Sequence, residues 1–171
     1  MESTISVAGS LTGGFPVQYP DSVRRRSGLH VLAVALLILA MSGCQKIELE
    51  RAEGTKLNWD TLRGQWVLVN YWAEWCKPCL EEIPELNELD KAPDITVLAV
   101  NFDGVRGDAL VELGERMGIE FTMLADDPGP GFGWKLPVAL PATFLVNPGG
   151  DLVETRFGPQ TEEELRAVIG G

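Results

Sequence analysis

The sequence predicts an α/β domain with a mixed sheet, and three observations carry that expectation. Strand-like apolar runs alternate with helix-like stripes as β-α-β-α-β between Val67 and Leu124. Such alternation gives parallel strands joined by crossover helices. Two further strand-like runs flank Pro148-Gly149-Gly150, which reads as a hairpin adding an antiparallel edge, and a helix follows. No internal repeat is visible, so one domain is expected.

The N-terminal region stands apart from that pattern. Arg24, Arg25 and Arg26 precede an apolar run from Leu29 to about Met41. A basic segment before an apolar run of about 7–15 residues reads as a secretory signal. The run is too short to span a bilayer comfortably as a mature helix. Met41-Ser42-Gly43-Cys44 follows and resembles a bacterial lipoprotein box, with Met41 where leucine is usual. The expectation is removal of residues 1–43 and a lipid on Cys44. Plain cleavage nearby, or an uncleaved short anchor, is the alternative. The triple arginine fits a twin-arginine signal poorly.

Residues 45–58 read as a linker and a short strand pair. Ile47, Leu49 and Arg51 face Lys56 and Asn58 across the turn signal Glu53-Gly54. Asn58 to Leu62 suggests one helical turn. Val67 to Trp72 is apolar except for Asn70, which suits a buried central strand. From Cys76 to about Asp90, Leu80, Ile83, Leu86 and Leu89 recur at helical spacing, with Glu81, Glu85 and Glu88 outside the stripe. Pro84 lacks a backbone donor and is expected to kink this helix. Ile95 to Phe102 reads as a second strand. Asp108 to Met117 reads as a helix stopped by Gly118, and Phe121 to Leu124 as a short strand. Asp126 to Gly133 is turn-rich. Ala142 to Val146 and Leu152 to Phe157 form the expected hairpin. Thr161-Glu162-Glu163-Glu164 carries capping-box chemistry and opens a last helix to about Ile169.

The whole chain carries a formal charge of −11. Residues 1–43 take three arginines and two acidic residues with them, so the remainder is more acidic still. Such acidity argues against nucleic acid as a partner, and solubility is its simplest use.

Three cysteines are present; with Cys44 lipidated, Cys76 and Cys79 remain as a pair. They bracket Lys77-Pro78 on the turn from the apolar strand into the helix. A disulfide closing so small a loop constrains little of the unfolded chain, so it is a poor staple and a plausible switch. A helix N-terminus stabilises a thiolate and can lower a thiol pKa by about one unit. Zinc usually takes four ligands, and the sole histidine, His30, lies in the segment read as signal. Copper(I) can accept two thiolates.

The element order, with the cysteine pair on its first strand-to-helix turn, resembles the thioredoxin fold. The chain looks most like the TlpA/ResA/DsbE type of membrane-anchored thiol–disulfide oxidoreductase. The residues that carry the resemblance run from Val67 to Cys79, with Glu82 and Pro84 beyond. Leu140-Pro141-Ala142-Thr143-Phe144-Leu145-Val146 and the turn Gly149-Gly150-Asp151 complete it. It covers roughly residues 55–170. The resemblance implies a thioredoxin-like domain over 55–171 with a short N-terminal strand extension, and a lipidated N-terminus and linker over 44–54.

The resemblance also implies roles. Cys76 is the attacking thiol and Cys79 the resolving one, with no cofactor beyond their redox-active disulfide. Pro141 is expected in cis beside the pair, leaving the Leu140 backbone free for an extended substrate. An ordinary trans proline is the alternative. Trp75 is a rim residue shielding Cys76. Glu82 is the candidate proton carrier; a solvated helix glutamate is the competing reading. Glu74 is a weaker candidate. Asn70 departs from thioredoxin, which has a buried aspartate there, and shifts proton handling onto Glu82 or water. The partners implied are client proteins with disulfides, including apocytochrome c and copper-centre assembly proteins. A DsbD- or CcdA-like membrane reductant resets the pair. The implied location is the periplasmic side of the bacterial cell envelope. Gln45 lacks the aspartate that retains many lipoproteins at the inner membrane, so either membrane stays open. A copper(I) chaperone and a redox-inactive adaptor are the rival functions.

Overall fold

The computed structural model describes residues 46–170, so the expectations for the signal and for Cys44 lie outside the described residues. A five-stranded sheet forms the centre. Its strands are β3 (Trp66–Trp72), β4 (Ile95–Asn101), β5 (Thr122–Leu124), β6 (Ala142–Val146) and β7 (Leu152–Phe157). Their order across the sheet is β5-β4-β3-β6-β7. β3, β4 and β5 are parallel, while β6 runs antiparallel to both β3 and β7. This is the mixed sheet expected from the alternation followed by a hairpin.

β3 is central and buried on both faces. Leu68, Asn70 and Trp72 alternate with Val67, Val69 and Tyr71, and every one of them is buried. Leu68 and Trp72 join a core with α1 (Lys77–Asp90), α2 (Asp108–Met117) and α4 (Glu162–Ile169) through Leu86, Leu89, Leu110, Leu113 and Leu165. Val67, Val69 and Tyr71 join the opposite core with Trp59, Leu98, Val100 and Phe144. α1 continues through Pro84 as one helix, so the proline does not end it. Gly118 closes α2 at φ +75°, a left-handed position that glycine takes without steric cost. Thr161 and Glu164 complete the capping box that opens α4.

One stretch differs from the sequence reading. Asp126–Gly133 contains a single helical turn, α3 (Gly129–Phe132). Packing organises it: the Phe132 ring lies 4.5 Å from Trp59 and 4.7 Å from Trp134. The short strand pair expected within residues 45–58 is present. β1 (Glu48–Glu50) pairs with β2 (Lys56–Asn58). Beyond it, Arg51 bridges Leu124 and the Ala52 amide donates to the Met123 carbonyl at 2.9 Å. The outer edge of β5 is therefore covered.

Tyr71 ties α3 to the sheet. Its hydroxyl donates to Asp127 Oδ1 at 2.7 Å, and the same oxygen accepts the Gly129 amide at 2.8 Å. Burial, then the Asp127 carboxylate, pushes the phenol well above its ordinary range. Tyr71→Phe removes a hydrogen bond to a charged acceptor and is expected to cost about 1.5 kcal/mol. Urea denaturation checks this as a lower midpoint with an unchanged slope.

Candidate active site

The site forms where β3 ends. The chain leaves Trp72, turns through Ala73, Glu74 and Trp75, and enters α1 at Lys77. The Cys76 amide donates to the Ala73 carbonyl at 3.1 Å, which closes the turn. Cys76 is the N-cap of α1, one residue outside the helix rather than its first residue. Its Sγ accepts the Cys79 amide at 3.3 Å. Pro78 sits in the first turn, where a missing N–H costs nothing. Cys76 and Cys79 form a disulfide, with their Cα atoms 5.3 Å apart.

The two sulfur-bearing residues differ in access. Cys76 retains 4% exposure and Cys79 none. Trp75 is 65% exposed and its Nε1 donates to Asp103 at 3.0 Å, which fixes the indole on the rim beside Cys76. Glu74 lies on the surface in an ion pair with Arg116.

The Leu140–Pro141 peptide is cis. Ala142, the next residue, pairs with Tyr71 near the end of β3, so Pro141 lies at the sheet end from which the chain reaches Cys76. The Pro141 carbonyl accepts the Gly158 amide at 3.0 Å. The backbone of Leu140 enters no hydrogen bond among the described residues. An extended segment of another chain can therefore pair with it.

Glu82 lies on the buried face of α1, one turn beyond Cys79. It is 1% exposed, unlike Glu81, which faces solvent. Its Oε1 accepts from Asn70 Nδ2 at 2.7 Å, and its Oε2 accepts the Gln160 amide at 3.0 Å. Burial pushes the carboxyl up to about 7, while the Asn70 and Gln160 hydrogen bonds hold it down. A carboxyl titrating there can take or give a proton near neutral pH. Glu85 is not a solvated glutamate either: it accepts the Glu162 amide at 2.9 Å at the start of α4.

Sequence reasoning missed three contributors. Thr143 faces Asn70 across β3 and β6, and its Oγ1 accepts from Asn70 Nδ2 at 3.0 Å. The place of Thr143 next to Asn70 was a matter of register, which follows once β6 is aligned antiparallel to β3. Gln160 contributes a backbone amide, which no side-chain pattern reveals. Asp103 holds Trp75 from the loop after β4, with no local signal.

The fold and this dithiol define a thioredoxin-fold thiol–disulfide oxidoreductase. The chain belongs to the AhpC/TSA family, whose model matches residues 42–155. It is 32% identical over 120 residues to the thiol-disulfide oxidoreductase ResA of Bacillus thuringiensis (strain Al Hakam), spanning 68% of this chain and 69% of that protein. It is 37% identical over 119 residues to the thiol:disulfide interchange protein HelX of Rhodobacter capsulatus, spanning 69% of this chain and 66% of that one. Among solved structures, a protein described as a putative thiol:disulfide interchange protein DsbE from Chlorobium tepidum superposes with a TM-score of 0.57 at 26% identity. That match covers 74% of this chain and 94% of the other. Among the described residues, no helix is long and apolar enough to cross a membrane.

Proposed function

We propose that this oxidoreductase is a lipid-anchored reductase of the cell envelope that reduces disulfides in client proteins. The observations that carry the residue assignment are the place of Cys76 at the N-terminus of α1 and the difference in burial between the two cysteines, 4% exposure for Cys76 against none for Cys79. The Cys76 thiolate attacks one sulfur of a client disulfide and the other client sulfur leaves as a thiolate. The Cys79 thiolate then attacks Cys76, and the second client sulfur leaves. Two electrons pass to the client, the leaving thiolates take up protons, and Cys76–Cys79 becomes the disulfide. Glu82 accepts or supplies a proton during these steps. The cis peptide at Pro141, the open backbone of Leu140 and the exposed Trp75 form the surface on which the client strand lies.

The anchor reading is supported by Arg24–Arg26, the apolar run and Cys44. A DsbD- or CcdA-like membrane protein returns electrons to the pair, and apocytochrome c and copper-centre assembly proteins are the client classes. Conversion of Cys44 to serine is expected to abolish incorporation of radiolabelled palmitate in the native host. Persistent labelling would place the anchor elsewhere.

Redox equilibration in glutathione or dithiothreitol buffers tests the direction. A reductase is expected near the thioredoxin value of about −270 mV, whereas a potential near about −120 mV belongs to an oxidant and would overturn the assignment. Tight 1:1 copper(I) binding without reduction of insulin disulfides would favour the chaperone.

A further inference from the structure

The amide of Asn70 is fully committed on one side and unpaired on the other. Its Nδ2 donates to Glu82 Oε1 at 2.7 Å and to Thr143 Oγ1 at 3.0 Å, using both N–H groups. Its Oδ1 is buried without a partner. Asn70, Glu82 and Thr143 are each at most 1% exposed, so solvent cannot substitute for a missing contact.

This arrangement suits an ionised Glu82, which only accepts. A protonated Glu82 must also donate. Its Oε2 faces the Gln160 amide and its Oε1 faces the Asn70 N–H, both of them donors. A half turn of the Asn70 amide removes this conflict at the carboxyl and leaves the Nδ2 protons in the unpartnered position that Oδ1 now holds. Oδ1 then accepts from the Glu82 hydroxyl and from the Thr143 hydroxyl, which can serve as donor or acceptor. An amide can meet its neighbour with a donor or an acceptor without itself changing charge, whereas an aspartyl side chain must gain or lose a proton to do so and leucine or alanine offers neither.

We propose that Asn70 is a positioning residue for proton transfer at the dithiol: its buried amide turns between donating to ionised Glu82 and accepting from protonated Glu82, with Thr143 as the second partner in both settings. The proposal rests on Glu82 being the proton carrier. Of the two residues bonded to Glu82, Asn70 does so through its side chain and Gln160 through its backbone amide, while the Gln160 Oε1 is buried without a partner of its own. Trp72 and Thr143 do not titrate, and Cys79 is held in the disulfide. Glu85 is bonded to the Glu162 amide. Arg156, opposite Thr143 on β7, is ion-paired with Glu154 at 2.9 Å. Glu164 is taken up by the cap of α4.

The test uses the full-length protein in its disulfide form. The infrared band of the protonated Glu82 carboxyl, identified as the band lost in Glu82→Gln, is followed against pH. Asn70→Leu removes the donor to the carboxylate, and Asn70→Asp sets a second carboxylate beside it. A hydrogen bond to a charged group contributes about 1.5–3 kcal/mol and one pKa unit is about 1.4 kcal/mol, so the Glu82 midpoint is expected to rise by about one unit or more in each variant. In the parent, the nuclear Overhauser contact between the Asn70 Nδ2 protons and Thr143 is expected above the Glu82 midpoint and lost below it. Unchanged midpoints, or a contact that persists across the titration, would overturn the proposal. The NMR measurement needs no substitution, so it decides even where a variant fails to fold. If Glu82→Gln instead leaves the pH profile of disulfide exchange unaltered, the proton-carrier reading fails, while the infrared and NMR readouts still decide whether the amide turns.

Discussion

Cys79→Ala is expected to accumulate a mixed disulfide between Cys76 and its client, up to one client per chain, while Cys76→Ala captures nothing. Catalytic turnover falls to background in both. The asymmetry follows from access. Cys76 retains 4% exposure and Cys79 none, so Cys76 is the cysteine nearer the surface and the better placed to meet a disulfide on another protein. Its Sγ also sits at the N-terminus of α1 and accepts the Cys79 amide, an arrangement that favours negative charge on sulfur. Cys79 lies under Cys76 and is placed to attack it from within the same turn. Removing Cys79 therefore stops the reaction after its first half. Non-reducing gels followed by mass spectrometry of the captured species check this and identify the clients. Capture by Cys76→Ala and not by Cys79→Ala would reverse the two roles.

Glu82→Gln is expected to abolish a loss of stability that the parent chain shows on raising the pH. The folded-state pKa of about 7 lies above the ordinary value of 4.5. A carboxyl raised in this way contributes its full stability below the unfolded value and loses it as pH rises through the folded one. Between pH 5 and pH 8 the parent should lose about 2.5 kcal/mol, since burial opposes the ionisation that the unfolded chain undergoes freely. Glutamine does not titrate, so the variant should be nearly flat across that range. It should exceed the parent in stability at pH 8. Urea denaturation of the disulfide form at both pH values measures the difference. The same variant should lose the inflection near pH 7 in the rate of disulfide exchange. Parallel stability curves for parent and variant would show that Glu82 ionises without penalty.

The sequence carried the architecture because its strands are buried and continuous. Val67 to Trp72 reads as a central strand from composition alone, and β6, β7 and the capping box of α4 are equally local signals. Cys76 and Cys79 were legible for the same reason, since their chemistry depends on one turn between one strand and one helix. The character of Glu82 came only from the resemblance, with no local signal to separate it from a solvated helix glutamate. Glu81, Glu82 and Glu85 share a helix, and only the position of Asn70 and Gln160, 12 and 78 residues away, separates the buried one from its neighbours. The helical turn at Gly129–Phe132 was hidden for a similar reason. Gly-Pro-Gly reads as a turn, and the contact of Phe132 with Trp59 comes from a distant segment. The helix expected from about Cys76 to Asp90 runs through Pro84, held by the packing of Ile83, Leu86 and Leu89 on either side of it.

The small hairpin of β1 and β2 has a mechanical meaning. Glu48 stands opposite Asn58 at its open end. A pull on the chain from the N-terminal side loads that end first and unzips the pair bond by bond, instead of shearing all its bonds together. Once opened, Glu48 to Asn58 would supply roughly 36 Å of contour length. Along that path the Ala52–Met123 and Glu50–Ala125 backbone bonds to β5 stand between the pair and the central sheet.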